Sequence, residues 1–418
     1  MMEKKFYDIH FHAMNMAHPN ILAFIRKINW QLLLLASPLA PLAAILGMEK
    51  IKNVQNLLTV MENDTGSFFM LVEYYLKQKG LVQNDRLVIG GQSFDSIILA
   101  PLLMDFGYKN MLTDTYYKIP PQKPIVSQVE DVFNGIADYC TKELQAATKG
   151  EKTDYWIVPR TTKAIFEIYP FLGLNTKNYE LSGIQKMLAK YFENYQGSYA
   201  DFRENLGKFQ GDIDGMRSNF FAGIKLYPPI GFDPWPAADG ATGERAKVEH
   251  LYEFCCANQI PVTVHCSDGG FELDKQAHEF SCPERWSQVF AQKKYETLKL
   301  NFAHFGKQSK KKLLFFSRNE WREGILRLVR DYPNIYTDLS YIGVDDEHYK
   351  MLGEIYKSNP RIAERLLFGS DFMINLLDME SYNSYLEVFS GTTSFSTEQK
   401  MNVCNVNPER FLWRQAQV

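Results

Sequence analysis

The segment Asp8-Ile9-His10-Phe11-His12 sets polar groups at alternate positions of a short apolar run. Strand side chains alternate between faces, so His10 and His12 point one way while Ile9 and Phe11 point the other. At the strand rise the two imidazoles stand about 7 Å apart and can converge on one cation. Alone, a His-x-His pair is weak, and two ordinary polar residues on a half-exposed strand are the simpler account. Three later runs change its weight: His265 follows Val-Thr-Val, His304 follows Leu-Asn-Phe-Ala, and Asp371 follows Leu-Leu-Phe-Gly-Ser. Each is a residue type that ligates zinc when deprotonated. The sequence holds eight histidines, and four of them stand at three such run ends. The others, His18, His250, His278 and His348, fall on expected loops or helices, where a solvated or capping role is expected.

Such groups need strands to hold them. In the second half, short β-rich runs at 221–229, 261–267, 298–306, 334–340 and 365–372 alternate with longer helical stretches. Lys225, His265, His304, Asp338 and Asp371 end these runs at separations of 40, 39, 34 and 33 residues. A strand, a crossover helix and two loops fill such an interval, which predicts an α/β chain built as a (β/α)8 TIM barrel. In that fold chemistry sits at the C-terminal ends of the strands. In the first half, residues 5–11 form strand one, and 97–104 and 164–169 are the next candidates, with 156–160 competing for the third. More than 80 residues separate the first two, too many for one crossover. They predict a helical insertion over 13–95, with helix around 53–79, and further helices are expected over 126–148 and 179–210. No repeat or linker marks a boundary, so 1–418 reads as a single domain.

The chain has 418 residues, 46 basic against 49 acidic side chains and a formal charge of -3, which excludes a global attraction to nucleic acid. Six cysteines form no Cys-x-x-Cys pair and no secreted disulfide framework. The chain enters a strand-like run at once, without an apolar targeting segment, so a cytoplasmic setting is expected. Asn63-Asp64-Thr65 matches a glycosylation sequon, a chance match in that setting. Residues 32–48 carry no charge over 17 positions, at the lower edge of a bilayer span. Pro38 and Pro41 interrupt them, so a buried or pocket-lining segment is expected rather than a membrane span.

Taken together, Asp8-x-His10-x-His12, Lys225, His265, His304 and Gly369-Ser370-Asp371 resemble the amidohydrolase superfamily. The runs at 223–228, 263–270, 336–340 and 366–372 look most like the amidohydrolase-related group that includes aminocarboxymuconate-semialdehyde decarboxylase. The resemblance implies a divalent metal, zinc first, as one or two ions. It makes His10, His12, His265 and Asp371 ligands, with Asp371 also the general base. His304 is then a ligand of a second metal or a residue that polarises the substrate, and Asp8 stands behind the ligands. Lys225 decides the nuclearity: carboxylated, it bridges two ions; unmodified, it repels a cation and faces the substrate or serves the structure. Tyr227, with Pro228 and Pro229, is expected at the pocket wall or floor.

Other signals are weaker. Residues 307–330 hold eight basic side chains against Glu320 and Glu323, read as a solvated helix face ahead of a rim that attracts an anionic substrate. Cys266 is expected to face the helices, and residues 88–93 lack the lysine of a phosphate loop. The leading expectation is a metal-dependent hydrolase of a C–N or C–O bond in a small amide, lactone or ester, using metal-activated water. The rival is a non-oxidative decarboxylase of an unsaturated or aromatic acid. A third reading is a non-catalytic binding protein that docks through its apolar insertion. The 14% aromatic content leaves room for a homo-oligomer.

Overall fold

The computed structural model describes residues 3–16, 18, 48–106, 125–149, 152–238, 243–270, 279–308 and 319–414. Its strands are β1 (Lys5–Phe11), β2 (Val82–Gln83), β3 (Arg86–Ile89), β4 (Gln92–Phe94), β5 (Ser96–Pro101), β6 (Lys142–Lys149) and β7 (Lys152–Pro159). There follow β8 (Phe166–Ile168), β9 (Phe171–Gly173), β10 (Gly223–Leu226), β11 (Val262–Val264), β12 (Leu300–Phe302), β13 (Ile335–Asp338) and β14 (Leu366–Leu367). Two sheets are parallel, ordered β1-β5-β8 and β14-β13-β12-β11-β10-β9. Every residue of β1 is buried, as expected of a strand covered on both faces.

Backbone hydrogen bonds link the two sheets at both ends. Pro170, which has no N–H to give, separates β8 from β9 in one continuous run. Beside it, Leu103 N donates to Phe171 O at 3.1 Å. At the far end Ile9 N donates to Phe368 O at 3.1 Å and Asp371 N to His10 O at 2.8 Å. Gly369 permits that approach, because a Cβ there would lie 2.6 Å from His10 Cβ.

Between successive strands of the larger sheet run helices with one buried face. In Glu320–Asp331 the buried residues Trp321, Ile325, Leu328 and Val329 recur at helical spacing, while Arg327 and Arg330 are exposed. The described part of the basic run on this helix is therefore a solvated face; residues 309–318 lie outside the described residues.

The first half corrects several expectations. Residues 13–95 are not purely helical: helices Met48–Met61 and Thr65–Gln78 are followed by the antiparallel meander β2-β3-β4. Gly90 and Gly91, at φ +58° and +72°, turn β3 into β4, since only glycine takes that conformation without strain. Asp64 of the sequon caps the second helix by accepting from Ser67 N at 2.9 Å. The helix expected over 126–148 is Ile125–Thr141, and the chain then enters the hairpin β6–β7. Pairing with the β-branched and aromatic run 155–158 overrides the helix-forming composition of Lys142–Lys149. Residues 156–160 thus belong to that hairpin or its root, and the third parallel strand comes from the 164–169 candidate.

At the hairpin's root Arg160 grips Glu73 with two nitrogens, at 2.9 and 3.3 Å, and stacks on Tyr139. The 32–47 part of the apolar segment lies outside the described residues, and Met48 opens a helix. No described helix is long and apolar enough to cross a membrane.

Candidate metal centre

Five strand ends converge. β1 supplies His10, with His12 just after its end, β10 supplies Lys225, and His265, His304 and Asp371 directly follow β11, β12 and β14 or stand within a few residues of them. All six side chains are buried. His10, His304 and Asp371 each offer a ligand atom within 4.8 Å of the others. His12 and His265 adjoin this group: His12 Nε2 lies 3.0 Å from Asp371 Oδ1, and His265 Nδ1 lies 3.1 Å from His304 Nε2.

The outward nitrogen of each imidazole is engaged. His12 Nδ1 faces the carbonyl of Leu102 at 3.2 Å and so carries the proton, which leaves a lone pair on Nε2 aimed at Asp371 Oδ1. His10 Nδ1 meets Asp338 Oδ2 at 3.0 Å, and its Nε2 lies 3.2 Å from the same Asp371 oxygen without the alignment of a hydrogen bond. A neutral imidazole and a carboxylate that present lone pairs to each other at such distances repel unless a cation lies between them. Ligand atoms around one tetrahedral zinc stand ~3.3 Å apart, close to these separations. The residues present therefore fit a divalent ion.

The charges agree. Burial, against the opposing pull of Asp371, holds His12 below the usual imidazole range. Burial also holds His265 well below that range and brings His304 down to about 3. All three are neutral at neutral pH, the form that ligates. His10 goes the other way: burial is the largest single influence and lowers it, but Asp338 and Asp371 together raise it above the usual range. Burial would raise Asp371, yet the contacts from His10 and His12 hold it well below the carboxylate range. Lys225 is lowered to about 8 by burial, against the attraction of Asp338 and Asp371. Its Nζ makes no hydrogen bond among the described residues and sits 5.9 Å from the Tyr227 ring centroid. Tyr227 packs against His265, ring centroids 4.7 Å apart. His304 and Asp371 hold φ of +61° and +60°, a conformation costly for such residues and frequent at functional sites.

Asp338 is the residue that sequence reasoning left without a role. Besides His10 it accepts from Asn301 Nδ2 at 2.7 Å, from His304 N at 3.0 Å and from Ser340 N at 3.1 Å. Ser340 Oγ in turn lies 3.0 Å from His10 Nδ1 and 2.9 Å from His304 Nδ1. The one available signal for Asp338 was its place in the rhythm of strand ends. Asp8, expected behind the ligands, instead accepts backbone N–H groups, from Ser370 at 2.9 Å and His10 at 3.3 Å. It ties β1 to the Asp371 turn, and the imidazole partner is Asp338.

Among the remaining histidines, His18 is buried rather than solvated, with Nε2 2.9 Å from Asp131 Oδ2. His348 belongs to the helix start capped by Asp345, His250 lies on the helix Glu244–Asn258, and His278 lies outside the described residues. Cys266 is fully buried beside the site, and burial pushes its thiol up.

Among solved structures, a probable 2-pyrone-4,6-dicarboxylic acid hydrolase from Acinetobacter baumannii, determined with citric acid bound, is similar at 11% identity and TM-score 0.47. The match covers 98% of this chain and 99% of that one. Amidohydrolase 2 from Bifidobacterium longum subsp. infantis is similar at 13% identity and TM-score 0.30, over 46% of this chain and 62% of that one. No curated protein matches the sequence. Residues 214–414 match the model of a family described as Amidohydrolase, and this stretch holds Lys225, His265, His304, Asp338 and Asp371. The chain is similar to that family over this stretch, a little under half of its length.

Proposed function

We propose that the chain is a zinc hydrolase which opens a C–N or C–O bond in a small amide, lactone or ester. The observation that carries this reading is the convergence of the His10 and His12 lone pairs on one oxygen of Asp371. In it, the parallel segments β1, β5, β8/β9 and β10 to β14 form one (β/α)8 barrel in a single domain. The hydrogen bonds that join the two sheets at both ends support that closure. The imidazole-rich donor set favours zinc among divalent ions.

A divalent ion at such a site supplies a water activated at neutral pH and a Lewis acid for the scissile carbonyl. The residues do the rest. Asp371, held ionised, accepts the proton of the attacking water and returns it to the leaving group. His304, neutral and with Nδ1 donating to the Ser340 carbonyl at 3.2 Å, presents its Nε2 lone pair as a further ligand. Lys225 and Tyr227 line the wall where a carboxylate of the substrate would be held. Six free cysteines suit a reducing cytoplasm.

The test is turnover of a panel of lactones, esters and amides, with and without carboxylate groups, by stripped and zinc-reloaded protein in oxygen-18 water. Hydrolysis predicts one labelled oxygen per product, only in the reloaded protein and lost in Asp371→Asn. Release of carbon dioxide from an unsaturated or aromatic acid, without label, would assign the decarboxylase instead.

A further inference from the structure

Lys307 begins the basic run 307–330, but it is placed unlike the arginines of the helix that ends that run. The loop after β12 turns through three successive residues of positive φ: His304 at +61°, Phe305 at +45° and Gly306 at +65°. The turn packs against the helix, since a Cβ on Gly306 would lie 2.9 Å from the carbonyl carbon of Trp321. It brings the Lys307 backbone to the loop after β11, where Asp268 N donates to Lys307 O at 2.9 Å. The side chain crosses the other way. Its amine donates to the carbonyl of Tyr341, in the loop after β13, at 3.3 Å, and lies 4.2 Å from the centroid of that residue's ring. Tyr341 itself holds a φ of +59°, costly for an aromatic residue and frequent at functional sites. Lys307 is thus tied to three neighbouring strand ends, three residues beyond His304.

Its charge is not matched. Burial draws the half-buried amine below the usual lysine range, against the pull of Asp378, Asp371, Asp268 and Asp345. Among the described residues its one hydrogen bond goes to the Tyr341 carbonyl, and no carboxylate comes within ion-pair distance. Three of the four are engaged elsewhere: Asp378 by the Tyr341 hydroxyl, Asp345 by His348 N at 2.9 Å, and Asp371 by His10 and His12. An ammonium carries three donors, so two remain for a ligand.

We propose that Lys307 is a specificity residue of the metal centre, binding a negatively charged group of the substrate remote from the bond that is opened. The proposal rests on the reading of that centre as a site for a small substrate, and it adds the charge of that substrate. Arg327 and Arg330, in the same basic run, are exposed and serve solvation. Lys307 is already held by its carbonyl and ring contacts, so it loses little freedom on binding. A hydrogen bond from such a cation to an anion is worth about tenfold or more in affinity.

The test reads binding, without turnover. Calorimetry on the full chain equilibrated with zinc compares succinate, glutarate and adipate with the monocarboxylates of equal length, butyrate, pentanoate and hexanoate. Melting curves confirm that each variant is folded. In the parent at least one dicarboxylate is expected to bind about tenfold or more tightly than its monocarboxylate, and added salt is expected to narrow the gap. Lys307→Met is expected to abolish the difference, and Lys307→Arg to keep most of it. A parent that favours no dicarboxylate, a preference that survives Lys307→Met, or a Lys307→Met protein that binds both kinds equally more weakly would overturn the proposal. A chain with the preference that hydrolyses no ester, lactone or amide would sink the hydrolase reading and leave Lys307 in place. Turnover of neutral lactones with no such preference would do the reverse.

Discussion

Replacing Asp338 with asparagine keeps its volume and removes its charge, and the surroundings make the consequence calculable. The wild-type carboxylate is fully buried and receives donors from His10 Nδ1, Asn301 Nδ2, His304 N, Ser340 N and Ser340 Oγ. An asparagine offers one acceptor oxygen and one amide nitrogen. Wherever the amide points, it meets a donor, His10 Nδ1 on one side or the backbone of His304 and Ser340 on the other. One buried contact becomes donor against donor, at a cost of about 1–3 kcal/mol. His10 also loses the carboxylate that fixes its tautomer and strengthens it as a ligand. Loss of such a partner lowers metal affinity by roughly 10–100-fold, about 1.4–2.8 kcal/mol. The assay is zinc competition against a chromophoric chelator, with the melting curve recorded beside it. Asp345→Ala serves as control, because Asp345 caps the distant helix Asp346–Ser358 and should cost stability without weakening the metal. A folded Asp338→Asn protein whose zinc affinity stays within twofold of the parent would refute the reasoning.

Three further outcomes follow from the same contacts. Arg160→Met leaves the buried Glu73 carboxylate with Lys77 alone, at 2.8 Å, and should cost about 1–3 kcal/mol in denaturant unfolding; no measurable loss contradicts the account. Gly270→Ala forces a Cβ to within 2.5 Å of Tyr227 Oη and 3.0 Å of His265 Nε2, at a φ of +108°. Metal binding or turnover should fall at least tenfold while the melting temperature moves by only a few degrees. Lys299 is buried, its amine lowered to about 8 by burial. A folded-state value below the unfolded one, about 10.4, means that the folded chain binds fewer protons between those pH values, so stability rises with pH across that window. Lys299→Met should therefore stabilise the protein by about 1–3 kcal/mol at pH 7, and the gain should shrink to nothing above pH 10. A gain that does not depend on pH would contradict this.

The legible part of the site was the part that ends strands. Lys225, His265, His304 and Asp371 each close an apolar run, and the spacing between runs matches one strand and one helix, so their convergence could be read from the sequence. Asp338 sat in the same rhythm, yet its role depends on the ring of His10, 328 residues away in sequence. No local pattern carries that contact. Asp8 was placed behind the ligands by the family resemblance, and its carboxylate turns to backbone N–H groups. His18 was misjudged for a similar reason, since its partner Asp131 lies 113 positions on. The residues of β6 failed differently: Lys-Glu-Leu-Gln-Ala-Ala-Thr-Lys has the composition of a helix, and only its pairing with β7 makes it a strand.

The most direct test of the central claim is the metal content per chain, by elemental analysis after equilibration with zinc and removal of the excess. The account predicts at least one ion per parent chain and none retained by Asp371→Ala or His10→Ala. Lys225→Ala run alongside reads the nuclearity: a fall from two ions to one or none marks a bridging lysine, and a single ion that persists marks one that faces the substrate. A folded parent chain that retains no zinc would contradict the account.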